Sequence, residues 1–302
     1  MSLVKKKRLT FFDVINTAFL VILTLIIAYP LYYTVIASFS DYQAVATGKV
    51  SILPVGFQTT AYKAVLENDS VWIGYRNTII YTVFGTMFNL LLTIPTAYVL
   101  SKKQLYGRGV ITWFFLITMY FSGGMVPTYL LYKFVGLVNN PLIMIIAGGL
   151  SVHNLIVTRT YYTTSIPESL YEAGEIDGCS EFGLFIRMAI PLSMPIIAVM
   201  ALYYAVGHWN SYFNALMYLT KTKYQPLALV LRRILIMNET ALDAAMASDL
   251  DPNLVADAAA RSNLVVTMKY SLVIVASLPM LVVYPFIQRY FVKGVMIGSV
   301  KE

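Results

Sequence analysis

The sequence predicts an all-α membrane protein with six transmembrane helices. Hydrophobic residues make up 58% of the chain and charged residues only 12%, with a mean hydropathy of +0.69. Soluble domains carry about a quarter charged residues. The charges are clustered, and each stretch between clusters approaches or exceeds the length of about 20 residues that crosses a bilayer. The six charge-free stretches are 14–40, 77–101, 109–132, 134–158, 188–220 and 270–288.

The positive charges predict the orientation of these helices. Basic residues concentrate near span ends on one side of a six-span topology, which is the cytoplasmic side by the positive-inside bias. The residues are Lys5, Lys6, Lys7, Arg8, Lys102, Lys103, Arg108, Arg289, Lys293 and Lys301. Both termini are therefore expected in the cytoplasm. The predicted organisation is a tail at 1–13, a membrane domain at 14–292 and a tail at 293–302.

Composition also indicates what lies outside the spans and which partners are excluded. Residues 221–269 hold clustered acids and alanine-rich runs, and Leu227, Val230 and Ile234 recur at helical spacing, so we predict a small helical segment on the outer side. The net charge is +7, but the sequence has no arginine-rich stripe interleaved with aromatic residues, the pattern expected for nucleic-acid binding. The expected partner is therefore the bilayer and not nucleic acid. The single cysteine, Cys179, excludes an intrachain disulfide.

The apolar spans lack the groups that chemistry or ion coupling needs. No Asp, Glu, Lys or Arg lies within the six cores, whereas gradient-driven carriers use intramembrane ionisable groups. No nucleophile–base pairing, metal-spaced Cys/His set or Walker-type glycine loop is present, so we expect no catalytic residue, no metal site and no bound cofactor. His153 and His208 are interpreted as packing residues. Any energy for transport is expected from a partner.

The polar loop at 163–190 interrupts two apolar runs. Pro167 and Glu168 suit the start of a short helix, and Gly178 can take the positive φ of a sharp turn. A second short helix is expected from Ser180, ahead of a membrane span that Pro191 opens. The alternative is a solvated connection with no binding role.

Within the spans, the run 121–127 is dense in glycine and proline and predicts a helix break that lines a pathway.

The loop resembles the EAA motif of type I ABC importer permeases, EAA-x3-G-x9-I-x-LP. Glu172, Ala173, Gly178 and Pro191 match at the family spacing. The departures are Gly174 for the second alanine, Met188 for isoleucine and Ile190 for leucine. The similarity extends over nearly the whole chain, including Asn77-Thr78 and the ending at 288–294. The motifs at 123–130 and 206–214 are similar to those of carbohydrate permeases of the maltose-transporter type, in the subgroup for polysaccharide-derived oligosaccharides such as aldouronate or alginate fragments.

This resemblance implies a non-catalytic subunit of an importer in the bacterial cytoplasmic membrane. The implied partners are a second permease (usually a different chain), two ATPase subunits that hold ATP and Mg, an extracytoplasmic binding protein and an oligosaccharide. The loop would lie in the cytoplasm between the fourth and fifth helices and dock on an ATPase. Its implied coupling residues are Glu172, Ala173, Gly174, Asp177, Gly178 and Pro191.

The fifth span carries the residue types that bind sugars, because aromatic faces stack on C–H surfaces and amides bond hydroxyls. Tyr203, Gly207, Asn210 and Asn214 follow helical spacing along one face, with Trp209 beside them. Asn89 and Tyr129 are further candidates for the substrate pathway. The alternative for the aromatic residues is an interfacial belt.

Three other functions stay open at this point. One is an ABC permease with a non-sugar cargo such as a peptide, since the interior of a permease is generic. The second is a secondary carrier, which the absence of charge in the spans disfavours. The third is a membrane anchor without transport activity, which the EAA spacing disfavours.

Overall fold

The computed structural model describes residues 10–234, 236, 265–282 and 285. Within these residues the chain is helical and contains no β-strand. It divides into two units, one formed by residues 1–68 with 234–277 and the other by 69–233 with 278–302. The N-terminal tail before residue 10, most of the predicted outer segment at 237–264 and the ending at 288–294 lie outside the described residues.

The described helices are mostly short, with three long exceptions. In chain order they are α1 (Phe11–Ser38), α2 (Tyr42–Ala46), α3 (Thr60–Leu66), α4 (Asp69–Ser101), α5 (Arg108–Tyr120), α6 (Met125–Phe134), α7 (Ile143–Ile146), α8 (Val152–Ser165), α9 (Glu168–Ile176), α10 (Glu181–Leu184), α11 (Ile190–Leu192), α12 (Met194–Trp209), α13 (Phe213–Tyr218), α14 (227–234) and α15 (Val265–Val282). A π-helical turn at Phe185–Ala189 joins α10 to α11, and a 3-10 turn at Thr222–Tyr224 precedes α14.

Among the described residues, α1, α4 and α15 are long and apolar enough to cross a membrane. Two further spans arise if each of two bent helix pairs counts as one: α5 with α6, bent by 113°, and Glu181–Leu192 with α12, bent by 77°. The predicted helical class is confirmed. The structure gives three to five spans in the described residues, so the predicted number of six is not confirmed.

The predicted fourth span, 134–158, is not a continuous helix. Beyond the end of α6, this stretch contains only the four-residue α7 and the start of α8, with non-helical residues 147–151 between them. Gly148 in that stretch has φ +71°, in the left-handed region that favours glycine and does not continue a right-handed helix. The charge pattern does not show this break, because the whole stretch 134–158 is free of charged residues.

Two other predicted spans are also interrupted. The predicted break within 121–127 is present, because α5 ends at Tyr120 and α6 begins after Gly124, which has φ +88°. The predicted fifth span, which Pro191 opens within the charge-free stretch 188–220, is divided: α12 ends at Trp209, and α13 begins only at Phe213.

In the first unit, α1 is followed by a loop that folds back on it. The hydroxyl of Tyr32 donates to the Ile52 carbonyl (2.6 Å), and the ring of Phe39 stacks on those of Phe57 and Tyr62, with centroids 5.6 and 4.9 Å apart. Tyr33 packs edge-on against Tyr270 of α15. The hydrophobic window of α1 is not buried, which leaves its apolar surface for lipid or another chain.

In the second unit, α4 is the central element, with its most extensive contacts to α12 and α8. At one end, the Asn77 amide donates to the carbonyls of Lys223 and Gln225 (2.9 and 3.0 Å), and the Thr78 hydroxyl accepts the N–H of Leu227 (2.8 Å). These bonds satisfy backbone groups of residues 223–227, where the chain enters α14.

Near the middle of α4, the side chain of Asn89 makes hydrogen bonds to the backbone at the break between α7 and α8. Its amide nitrogen donates to the carbonyls of Gly148 (3.1 Å) and Gly149 (2.7 Å), and its Oδ1 lies 2.6 Å from Nε2 of His208. Because both amide hydrogens are used, Oδ1 accepts and the His208 Nε2 donates. The imidazole rests on Gly85, where a Cβ would lie closer than 3.0 Å to three ring atoms.

Gly85→Ala is expected to destabilise the protein, because the added methyl group displaces the His208 imidazole from its bond to Asn89. Overpacking of this kind costs about 1–3 kcal/mol. The thermal unfolding midpoint in detergent, followed by tryptophan fluorescence, should fall.

Gly109→Ala is the matched control, since it also lies in a helix and a Cβ there meets nothing within 4 Å. Its midpoint should stay the same or rise. An equal loss for both variants would contradict the packing argument.

Candidate functional site

The loop at 163–190 forms two short helices joined at a glycine, as the sequence predicts. Pro167 precedes α9, and Gly178 (φ +76°) reverses the chain after it. The N–H of Gly178 donates to the Glu175 carbonyl (3.0 Å) and that of Cys179 to the Gly174 carbonyl (2.9 Å), which closes the helix end. The Ser180 hydroxyl caps α10 by accepting the N–H of Gly183 (3.2 Å).

Gly174 lets the two short helices pack closely. It is buried, and a Cβ there would clash with Leu184 and lie 3.0 Å from the sulfur of Met188. Gly174 and Met188 both differ from the EAA pattern, and in the structure these two residues lie next to each other. The glycine therefore makes room for the longer methionine.

The outward surface of the loop combines acidic and apolar side chains. Ile176 is 86% exposed and Phe182 is 74% exposed, at the tip formed by α9 and α10. Neither residue belongs to the predicted coupling set, whose exposed members are Glu172, Ala173, Asp177, Gly178 and Pro191. Glu172 and Glu175 also line a cavity of about 120 Å³ between α9 and residues 101–104.

Lys102, just beyond the end of α4, holds both helices of the loop. Its ammonium lies 3.8 Å from the centroid of the Tyr171 ring on α9 and 3.6 Å from the Glu181 carboxylate on α10, and its side chain is only 15% exposed. Burial raises the pKa of the Tyr171 phenol to about 12, with smaller contributions from Tyr162 and Glu181, so this ring stays neutral at physiological pH.

Lys103 makes a second, more exposed link. Its ammonium pairs with Glu168 of α9 at 2.5 Å, with side chains that are 71% and 49% exposed. Beneath the two lysines, the ring of Tyr98 contacts those of Tyr162, Tyr171 and Phe185. The loop is therefore fixed to the end of α4 by charge and by aromatic packing.

A second candidate site is a polar cavity of about 240 Å³ between α4, the α7–α8 break and α12. No Asp, Glu, Lys or Arg is among the described residues that line it. The lining residues are Asn89, Met144, Ala147, Gly148, Ser151, Asn154, Tyr203, Tyr204, Gly207, His208, Ser211 and Asn214.

The cavity brings together four of the seven residues predicted for the substrate pathway: Tyr203, Gly207, Asn214 and Asn89. The polar atoms of Asn89 are all used within the protein, so this residue shapes the wall.

The other three predicted pathway residues lie elsewhere. Asn210 is exposed at the end of α12, off the cavity, because the helix stops at Trp209. Trp209 is buried against Tyr75, with ring centroids 6.4 Å apart, and Tyr129 stacks on Tyr218 in an apolar cluster.

Several cavity residues were not predicted from the sequence. The Tyr204 hydroxyl bonds Thr93 of α4 (2.7 Å) and accepts the N–H of Ser151 (3.3 Å), so it joins α12 to α4 and to the start of α8. Ser151 and Asn154 stand out only as polar residues within an apolar stretch, a weak signal without the break at Gly148. Within the described chain no cluster of His, Cys, Asp or Glu is arranged to hold a metal ion.

Residues 70–297 match the family of binding-protein-dependent transport system inner membrane components. The chain belongs to this family. The permease is 34% identical over 296 residues to the polygalacturonan/rhamnogalacturonan transport system permease protein YtcP of Bacillus subtilis (strain 168), covering 98% of this chain and 99% of the relative. It is 37% identical over 290 residues to protein LplC of the same organism, covering 96% and 95%.

A solved structure shows the same architecture. A chain in the crystal structure of a bacterial ABC transporter involved in the import of the acidic polysaccharide alginate superposes with a TM-score of 0.81 and 31% identity, covering 93% of this permease and 96% of that chain. The resemblance expected from the EAA-like loop is therefore confirmed: the protein is an inner-membrane permease subunit of a transporter. The roles of individual residues stay predictions.

Lys102→Met should loosen the loop, because it removes both the cation–π contact and the ion pair while keeping the side-chain length. A half-buried cation–π contact contributes about 1–2 kcal/mol, so amide hydrogen exchange in peptides covering 168–184 should accelerate at least about fivefold. Lys103→Met is the control, since an exposed ion pair contributes about 0–1 kcal/mol. Equal rates of amide hydrogen exchange in the Lys102 and Lys103 variants would show that Lys102 does not hold the loop.

Proposed function

We propose that this permease is a membrane-spanning subunit of an ATP-driven importer that carries an oligosaccharide derived from a polysaccharide into the cell. The observation that carries this proposal is the near-full-length likeness to a chain of the alginate importer, at a TM-score of 0.81 and 31% identity. Its similarity to the polygalacturonan/rhamnogalacturonan permease over 98% of the chain supports the same cargo class. The uncharged polar cavity beside Tyr203 suits hydroxyl-rich cargo.

The proposed assembly contains a second permease, two ATPase subunits that bind ATP and Mg, and an extracytoplasmic binding protein. In it this chain crosses the bilayer six times, with both termini and the loop at 163–190 in the cytoplasm, and holds no cofactor of its own. The chain contributes no catalytic residue, and ATP hydrolysis takes place in the partner.

The loop is suited to transmit force from such an ATPase. The exposed Ile176 and Phe182 provide an apolar tip, and Glu172 and Asp177 beside them can pair with basic groups. Behind the tip, Lys102 joins the loop to α4, and the Phe185–Ala189 turn joins it to α12. Both α4 and α12 line the polar cavity. A displacement of the docked loop therefore reaches the cavity through two connections, one by α4 and one by α12.

Reconstitution of the complete importer in liposomes tests the proposed function. The permease is purified by an affinity tag from its native host with its co-purifying chains, and uptake of defined oligosaccharides is measured with and without internal ATP. We expect recovery of an ATPase and a second permease, together with ATP-dependent oligosaccharide uptake. Uptake of peptides alone would change the cargo class. Uptake that needs an ion gradient and no ATP would support a secondary carrier.

Ile176→Glu is expected to uncouple this transport, because it places a charge in the apolar tip while its 86% exposure spares the fold. ATP-dependent uptake should fall at least about tenfold, the effect of losing about 1.4 kcal/mol of docking free energy. Ile176→Val, which keeps the apolar surface, is the matched control and should transport normally. Normal uptake by Ile176→Glu would exclude a docking role for the tip.

A further inference from the structure

We infer that a cavity between the end of α4 and α10 binds one phospholipid of the cytoplasmic leaflet, with a zwitterionic ethanolamine headgroup. The lipid phosphate lies at Lys102, the lipid ammonium lies at Glu181, and one acyl chain runs along α4. The inference rests on the orientation given in the proposed function, in which this end of α4 faces the cytoplasm. It concerns a lipid site and does not depend on the cargo.

The α4–α10 cavity is large and has a mostly apolar wall. Its volume is about 550 Å³, within the roughly 300–1,000 Å³ of sites that hold small molecules. Both Val99 and Phe182 are exposed, so the cavity is open to its surroundings. The apolar part of the wall comes from α4, from the connection to α5 and from the loop at 163–190, and consists of Pro95, Val99, Leu105, Phe182 and Phe185. An open apolar wall next to the bilayer is suited to an acyl chain.

The wall changes from polar to apolar along α4. Lys102 and Glu181 lie side by side at the end of the helix, and both line the cavity. Pro95 lies about 10 Å before Lys102 along the helix axis. In the proposed orientation the charged end is therefore at the cytoplasmic boundary, and the apolar wall extends toward the middle of the bilayer. A phospholipid of the cytoplasmic leaflet has its headgroup and its acyl chains in the same order.

The ammonium of Lys102 has hydrogen-bond donors available for a phosphate. The nearest Glu181 oxygen is 3.6 Å away, beyond the roughly 2.7–3.2 Å of an N–H···O bond. Its other close neighbours are the rings of Tyr171 and Tyr98, at 3.8 and 5.0 Å from the centroids. Within the described part of the chain this ammonium donates to no oxygen. A phosphate oxygen that enters the cavity can accept a charge-assisted hydrogen bond from it.

Glu181 favours a zwitterionic headgroup over an anionic one. Its carboxylate is exposed and lies beside the Lys102 ammonium, so the two groups present one charge of each sign. An anionic headgroup would place its charge next to this carboxylate and be repelled by it. An ethanolamine headgroup is complementary to the pair, because its phosphate meets Lys102 while its own ammonium meets Glu181.

Native mass spectrometry of the complete importer tests the site. The importer is purified with its co-purifying chains and equilibrated with equal amounts of phosphatidylethanolamine and phosphatidylglycerol that carry the same acyl chains. We expect the wild type to retain an ethanolamine lipid that Val99→Trp loses, because the larger side chain fills the cavity. The retained fraction should fall at least about tenfold, the effect of excluding about two methylene groups. Glu181→Gln should lower the preference for the ethanolamine lipid at least about threefold, as expected for one partly exposed ion pair.

Two matched controls make the same changes outside the cavity. Val83→Trp alters another exposed valine of α4, and Glu175→Gln alters a glutamate of α9 that lines a different cavity. Both should leave lipid retention unchanged. Equal retention in Val99→Trp and Val83→Trp, or equal preference in Glu181→Gln and Glu175→Gln, would overturn the inference.

The same measurement separates the lipid from a protein occupant. Retention of the lipid only after the ATPase is removed would overturn the inference, because the ATPase would then occupy the cavity in the importer. The measurement involves no sugar, so loss of the lipid site leaves the proposed function intact. A failure of oligosaccharide uptake in liposomes would overturn the proposed function while leaving the lipid retention as evidence for the site.

Discussion

Buried backbone carbonyls freed by a break in a helix need a hydrogen-bond donor, and two asparagines of α4 supply one here. Asn77 donates to two carbonyls of the segment before α14, and Asn89 donates to two carbonyls of the break between α7 and α8. They lie about three helical turns apart. Without these donors the buried carbonyls at each break would be left unpaired, at about 1–3 kcal/mol for each group. The position of α8, and with it the shape of the cavity, depends on Asn89.

The same helix connects the two candidate sites. Beyond its last turn, Lys102 holds the loop at 163–190, and near its middle Asn89 and Thr93 contact elements of the cavity wall. Because α4 is helical without interruption from Asp69 to Ser101, it links the loop directly to the cavity wall. The bend before α12 is the complementary element, where the buried Ser193 hydroxyl bonds the carbonyls of Ala189 and Ile190 and the hydroxyl of Tyr162.

The sequence predicted features that depend on local chemistry and missed those that depend on tertiary contacts. Composition predicted the helical class, and Gly178 and Gly124 marked turns that the structure contains. Periodicity placed Tyr203, Gly207 and Asn214 on one face, but it could not show that α12 stops before Asn210. The prediction of a fourth continuous helix was wrong because the break in it is stabilised by Asn89, which lies about sixty residues earlier in the chain. Lys102 was explained by the positive-inside bias, and its contacts with Tyr171 and Glu181 become visible only once the loop is folded.

The turn at Gly178 has a practical consequence through its neighbour. Cys179 is the only cysteine in the chain, and it lies partly accessible at the joint between α9 and α10. A maleimide fluorophore or spin label can therefore be attached at one defined point of the loop without removing any other thiol from this subunit. Distances measured from such a label during ATP turnover would follow the joint as it moves, in the natural sequence of the permease.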